Sequence, residues 1–255
     1  MLHLASALVA TATLLSPATT VRPLTTDRPT LTFAPTSVDA GHLQLETDVL
    51  LGAYNGDDGS IAIGGSTLRV GLTSQTDLQL AFPTLVLGAT GLWTSAASTS
   101  ISRGGAFAVR LKWNVIGNDG SGFALGVLPA LAIDANDVIT ASVIFPISVA
   151  LPADFTLGGM LQLDLIKPGD LIDGRGLITV VMSHPIVERV SGYFEAQADV
   201  RSNVGQGGIV TPNLLGSVGA AWLVADSVQL DAGMRVPLTG VAPTLEAFLG
   251  VSLRH

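Results

Sequence analysis

The sequence predicts an all-β fold, a transmembrane antiparallel up-and-down β-barrel of about 12 strands behind an N-terminal signal peptide. Of the 255 residues, 48% are hydrophobic and only 13% are charged, which is apolar for a water-soluble protein. After residue 20 there is no run of about 18 apolar residues, the length that a membrane helix needs. From His42 onward, polar and apolar residues instead alternate with the period of a β-strand.

Composition also narrows the possible functions. The formal charge is −8 and no basic stripe is present, so we expect no nucleic-acid partner. The chain has no cysteine, which excludes disulfides, thiolate metal sites and thiol catalysis. We predict no cofactor and no metal site.

Residues 1–20 are predicted to be a signal peptide, because they contain an apolar stretch followed by the small residues Ser16-Pro17-Ala18. Residues 21–41 contain Pro23, Pro29 and Pro35, which forbid a regular helix. We predict an extended periplasmic segment here. It either stays in the periplasm or folds into the barrel mouth. Residues 42–255 are assigned to the transmembrane barrel.

The barrel strands follow from alternation. In the first strand Gln44, Glu46 and Asp48 alternate with Leu43, Leu45, Thr47 and Val49. Further on, Gln162 and Asp164 alternate with leucines. A phase change at Gly64-Gly65 predicts a bulge in the second strand, and the eighth and tenth strands alternate poorly. The predicted strands cover residues 42–53, 60–72, 76–87, 103–116, 121–133, 138–151, 154–166, 172–184, 190–202, 211–224, 227–238 and 244–254.

The predicted connectors alternate in length along the chain. Those after even-numbered strands are mostly short, such as Pro152-Ala153 and the stretch from Pro185 to Arg189. Those after odd-numbered strands are mostly longer, such as the stretch from Gly88 to Ser102. Outer-membrane barrels have short periplasmic turns and long extracellular loops, so this pattern places both termini in the periplasm.

The apolar strand faces are predicted to meet lipid. They carry no charge in the clearer strands, and a barrel of about twelve strands encloses more volume than its inward side chains would fill as a dry core. Aromatic residues make up only 5% of the chain, so the interfacial girdles are thin. Candidates for them are Trp113, Trp222, Tyr54, Tyr193 and the phenylalanines. A soluble periplasmic β-protein is the less favoured alternative.

Both ends of the chain resemble one known family. The stretch Leu24-Thr25-Thr26-Asp27-Arg28-Pro29, then Gly41-His42-Leu43-Gln44-Leu45-Glu46, resembles the start of the outer-membrane family named for the meta-pathway of phenol degradation. The C-terminal stretch, from Leu230-Asp231-Ala232-Gly233 through Leu249-Gly250-Val251-Ser252-Leu253-Arg254, is similar to its last hairpin. The chain departs from the pattern in ending on His255, where such barrels commonly have an aromatic residue. The resemblance implies a membrane barrel that passes small compounds, aromatic ones included.

No motif for catalysis stands out, and we predict that the protein is not an enzyme. Ser183-His184 lies near a predicted turn, but neither residue belongs to a nucleophile motif and no G-x-S-x-G is present.

The charges on the polar face are the candidate lumen or pore residues. We favour structural pairing among them over direct contact with a solute. The sharper hypothesis has a solute guided by the cations among them opposite the carboxylates, joined by Asp27 and Arg28 if the N-terminal segment folds inward. The candidates are Glu46, Asp48, Arg110, Lys112, Asp164, Glu195, Asp199, Arg201, Asp231 and Arg235.

We therefore predict a protein of the bacterial outer membrane, surrounded by outer-membrane lipid. It is interpreted as a channel or facilitator for small, hydrophobic or aromatic molecules. The alternative is a closed barrel with a structural or interaction role and no transport activity.

Overall fold

The computed structural model describes residues 21–91, 97–119, 122–169, 172–203, 208–209, 212–239 and 245–255. The predicted signal peptide, residues 1–20, lies outside these ranges. In the described part of the chain, no helix is long and apolar enough to cross a membrane.

The described residues form sixteen β-strands in one antiparallel sheet, which closes where the last strand pairs with the first. Because β2, β5 and β6 continue β3, β4 and β7, and β13 is a short addition to β12, these strands make a closed wall of twelve. The strands are β1 Leu43–Asn55, β2 Asp58–Ile63, β3 Ser66–Gly71, β4 Thr76–Phe82, β5 Thr84–Thr90, β6 Ser98–Gly104, β7 Ala106–Ile116, β8 Phe123–Asp134, β9 Ile139–Ala150, β10 Thr156–Lys167, β11 Asp173–Val187, β12 Val190–Asn203, β13 Gly208–Ile209, β14 Asn213–Ala225, β15 Val228–Pro237 and β16 Leu245–Arg254.

Three neighbouring wall strands are interrupted at similar heights. The breaks fall at Gly64-Gly65, at Pro83 and at Gly105, and β1 has a register shift between Asp48 and Leu50 beside them. Proline lacks the N–H that a sheet requires, and Gly64 and Gly105 adopt positive φ angles of 80° and 76°. The phase change predicted at Gly64-Gly65 is therefore a break between two strands.

The two faces of the wall differ sharply in polarity. On β10, Leu163 faces outward with 51% of its surface exposed, whereas the Lys112 side chain on β7 points inward and is fully buried. A soluble barrel has the opposite arrangement, with apolar side chains inside. As predicted, the apolar residues of the strands face outward and the polar residues face the lumen.

Each rim of the barrel has its own kind of connection. The chain termini and the short turns, including residues 72–75 and 188–189, lie at one end, which we call the short-turn rim. The opposite end, the long-loop rim, carries the hairpin extension formed by β2, β5 and β6.

Three local predictions were wrong. The connector expected from Gly88 to Ser102 is largely strand, because β5 runs to Thr90 and β6 begins at Ser98. One face of β6 carries Ser98, Ser100 and Ser102 and the other carries Thr99, Ile101 and Arg103, so neither face is apolar enough to show the alternation. Strand β11 continues through Pro185 to Val187 past a register shift, so the turn there is shorter than expected. Tyr193 is not a girdle residue. It shares the inward phase of Glu195 and is only 5% exposed.

Candidate functional site in the barrel lumen

Residues 22–39, which we call the luminal segment, lie inside the barrel. Arg22 donates to the Asn118 carbonyl at 2.5 Å in a turn of the short-turn rim. Arg22 also pairs with Asp39 at 2.6 Å, so the segment enters and leaves at the same rim. The sequence analysis set residues 21–41 apart as an extended segment that either stays in the periplasm or folds into the barrel mouth, and in the structure residues 22–39 contact side chains of the lumen.

Asp27 is the most heavily bonded carboxylate of the segment. One oxygen accepts from the Lys112 Nζ at 2.6 Å and from the Ala34 N–H at 2.9 Å. The other lies 3.4 Å from Arg69 and accepts from Gln79 at 3.3 Å. Burial alone would raise the pKa of Asp27, but the charges of Arg69 and Lys112 outweigh it. The pKa of that carboxyl therefore lies below its ordinary value of 3.8.

Arg69 connects the segment to two wall carboxylates. Its guanidinium lies 3.0 Å from Glu46 and 2.8 Å from Asp77, and it donates to the Thr36 carbonyl at 3.0 Å. The arginine is fully buried. A buried charge of this kind is tolerated only when it is paired and hydrogen-bonded, as it is here.

Arg28 bridges two strands of the wall that lie on either side of β16. It forms ion pairs with Asp48 on β1 and with Asp231 on β15, the latter at 2.8 Å. Gly250 on β16 lies against the Arg28 guanidinium. A Cβ atom at this position would overlap the guanidinium, so any larger residue would displace the arginine.

Glu195 holds the far end of the segment. Its oxygens accept from the backbone N–H groups of Leu31 at 3.0 Å and Thr32 at 2.7 Å. They also accept from the hydroxyls of Thr32 and Ser217. The Thr32 and Thr179 hydroxyls are 2.6 Å apart. A carboxylate that accepts several donors in this way fixes the backbone of residues 31–32 against the wall.

The segment has one main apolar anchor. Phe33 packs against an inward cluster of Leu128, Ile144, Met160 and Leu177, which are all buried. These four residues form an apolar patch on the lumen face, next to the Phe33 ring, in an interior that is otherwise mainly polar.

The predicted lumen residues divide into two groups. Glu46, Asp48, Lys112, Glu195 and Asp231 form hydrogen bonds or ion pairs with the luminal segment. Arg110 also contacts the segment, since its guanidinium lies over the Phe33 ring at 5.0 Å from the centroid. The others pair within the wall: Asp199 and Asp164 lie 2.8 Å and 3.5 Å from Arg175, Arg201 lies 3.6 Å from Asp199, and Arg235 lies 3.3 Å from Glu246.

Some luminal residues were not among the predicted site residues. Arg69 and Arg175 form central ion pairs, and Gln44, Gln79 and Asn114 bond the segment directly. All of them share the inward phase of the charges that were chosen. Selecting every polar residue of that phase, uncharged residues included, would have found them.

Two cavities flank the tip of the luminal segment. The outer cavity, about 360 Å³, is lined by Phe82, Thr84 and Gly104 on the long-loop side. The inner cavity, about 370 Å³, is lined by Thr156, Ser191 and other residues beside the short turns. Both are bounded by the same four segment residues, Arg28, Pro29, Thr30 and Phe33. The tip of the segment therefore separates them. Within the described ranges, no cluster of three or more His, Asp or Glu side chains could hold a metal ion.

The family comparison covers this site. A model of the family described as the MetA-pathway of phenol degradation matches residues 26–255, which includes Asp27 and Arg28. The chain belongs to this family. The resemblance noted at both ends of the sequence is thereby confirmed, and the match extends through the whole wall.

Solved structures similar to this family member are outer-membrane barrels. An outer membrane channel from Pseudomonas putida F1 has a TM-score of 0.56 and 11% identity, over 84% of this chain and 94% of that one. The NanC porin has a TM-score of 0.55 and 8% identity, over 82% and 98%. No curated protein sequence matches the chain. The protein is a barrel of the bacterial outer membrane, in contact with its lipid.

Proposed function

We propose that this barrel is a channel for small molecules and that the luminal segment closes it. The observation that supports the proposal is the division of the lumen into two cavities by Arg28, Pro29, Thr30 and Phe33. Withdrawal of these residues would join the cavities into one passage between the rims.

The bonding of the segment favours a removable closure. The wall is held by backbone hydrogen bonds from strand to strand. The segment is held mainly by side chains of the wall. For example, Lys112 donates to the Asp27 carboxylate, and Glu195 accepts from the Thr32 N–H. Because the segment is not a strand of the sheet, it can leave the lumen without breaking the wall.

The orientation and the solute are part of the same proposal. We assign the short-turn rim to the periplasm, so that the segment is anchored from the periplasmic side. The family description refers to phenol degradation, which supports a small aromatic or hydrophobic solute. Phe33 provides aromatic surface beside the outer cavity.

We also propose that the protein is not an enzyme. Ser183 and His184 are consecutive residues of β11, so their side chains point to opposite faces of the wall. The His184 ring instead stacks near Phe155 and its Nε2 lies 3.1 Å from the Ala153 carbonyl. This geometry does not form a nucleophile–base pair.

The alternative is a closed structural barrel, favoured by the many ion pairs that hold the segment in place. Conductance in planar bilayers and solute uptake by proteoliposomes separate the two functions. The channel proposal expects rare openings in the native protein and steady conductance in a variant without residues 22–39. Correctly folded barrels of both forms that pass neither ions nor solute would establish the closed alternative.

A further inference from the structure

Arg110 is the unmatched charge of the outer cavity. The other cations that line it are paired, Arg28 with Asp48 and Asp231 and Arg235 with Glu246. Among the described residues, no carboxylate lies within ion-pair distance of Arg110. Its guanidinium has a cation–π contact with the Phe33 ring, 5.0 Å from the ring centroid.

The carboxylates of the same cavity are already neutralised. Asp27 is paired with Lys112, Glu46 with Arg69 and Asp48 with Arg28. Three cations and three carboxylates therefore line the cavity, and Arg110 is the cation among them that has no ion-pair partner in the described part of the chain. A bound dianion would lack a second unpaired cation and would lie close to Asp27 and Glu46, so the single unpaired guanidinium favours a monoanion.

Hydrogen-bond donors of Arg110 and Arg235 also remain without acceptors among the described residues of this cavity. A guanidinium has five N–H groups in a planar fork, and stacking on Phe33 occupies its face but not its edge. The Nε of Arg235, which lines the same cavity, is buried without a hydrogen-bond partner in the described part of the protein. A carboxylate has the planar geometry that such forks bind best.

The remainder of the cavity wall suits an aromatic body. Phe33, Ala81, Pro83 and Ala106 all contribute to it, and its volume of about 360 Å³ is within the range of small-molecule sites. An aromatic ring placed there would bury apolar surface against these side chains while its charged group meets Arg110.

We propose that the outer cavity is a binding site for small aromatic monocarboxylates, with Arg110 as the residue that binds the carboxylate and Arg235 as a second donor. This inference specifies the class of solute for the proposed channel, and to that extent it rests on the proposed function. Binding, however, can be measured without transport.

The test is calorimetric titration of the detergent-solubilised full barrel with benzoate and with benzyl alcohol, a neutral compound of similar shape. We expect saturable benzoate binding, with benzyl alcohol weaker by roughly tenfold or more. Arg110→Gln should weaken benzoate binding by about the same factor, and Arg110→Lys by less, because it keeps the charge. The matched control Arg189→Gln removes an exposed arginine near the short-turn rim and should leave binding unchanged.

A purely structural role for Arg110, holding Phe33 in place, predicts a different result. Benzoate and benzyl alcohol would then bind alike or not at all, and either outcome would overturn the proposal. The comparison of the two probes in the native barrel does so even if Arg110→Gln fails to fold. Equal benzoate affinity in Arg110→Gln and native protein would also overturn it. Benzoate binding without any flux would instead contradict the channel and leave this site intact.

Discussion

Replacing Asp27 by asparagine should release the luminal segment. The substitution keeps the size of the side chain and an oxygen that can accept from the Ala34 N–H, but removes the charge. Arg69 keeps two other carboxylate partners, Glu46 and Asp77. Lys112 is left with a carbonyl, that of Ala34, at 2.8 Å. The uncompensated charge in the variant is therefore that of Lys112, whose side chain is fully buried.

The expected size follows from that environment. Removing one partner of a buried, hydrogen-bonded ion pair costs about 3–5 kcal/mol. The retained acceptor and the remaining partners of Arg69 favour the lower end, near 3 kcal/mol. Since Lys112 would be freed when the segment leaves, this cost falls on the docked state. About 3 kcal/mol shifts the equilibrium between docked and released segment by roughly a hundredfold.

Single-channel recording in planar bilayers measures this shift as open probability. Asp27→Asn should raise the open probability by roughly a hundredfold, within the limit set by full opening. The matched control is Asp226→Asn, which removes a carboxylate that is 90% exposed beside Arg189 and should have little effect. An unchanged open probability in a correctly folded Asp27→Asn barrel would refute the view that this ion pair holds the channel closed.

Three further predictions concern the wall and its contacts with the segment. Leu161→Arg, near the middle of β10, should cost about 2–4 kcal/mol of folding free energy in lipid vesicles. Leu165→Arg, near the strand end, should cost about 0–1 kcal/mol, and equal urea midpoints for the two would contradict the lipid-facing assignment. Gly71→Ala places a methyl group against the backbone at the end of the luminal segment and should raise open probability, whereas Gly176→Ala meets open space and should not. Glu195→Gln sets an amide NH₂ against backbone donors, which should weaken docking by about 1–3 kcal/mol and raise open probability; recordings identical to the native protein would contradict this.

Much of the wall could be predicted because lipid and lumen impose opposite polarity on alternate residues. Leu161, Leu163 and Leu165 show this period directly, and the strand boundaries follow from it. The pattern fails where neither face is apolar, as in β6. It also fails at Tyr193, where an aromatic side chain takes a lumen position that composition alone assigns to the interface.

The candidate site was less predictable for a different reason. Periodicity shows that Glu46, Lys112 and Glu195 point inward, but their partners depend on where the luminal segment lies. Prolines exclude a helix in that segment without specifying a position for it. Lys112 pairs with Asp27 rather than with a wall carboxylate, and Glu195 bonds backbone N–H groups that no sequence pattern marks.

The most direct test of the closed channel is to lock the segment in place. The chain has no cysteine, and the Thr32 and Thr179 hydroxyls are 2.6 Å apart, so Thr32→Cys with Thr179→Cys gives a single engineered pair close enough to bond. Formation of the disulfide is followed by its shift in gel mobility. We predict that the oxidised protein shows no openings and no solute uptake, and that reduction restores both. Equal conductance and uptake in the oxidised and reduced protein would contradict the role of residues 22–39 as the closure of this barrel.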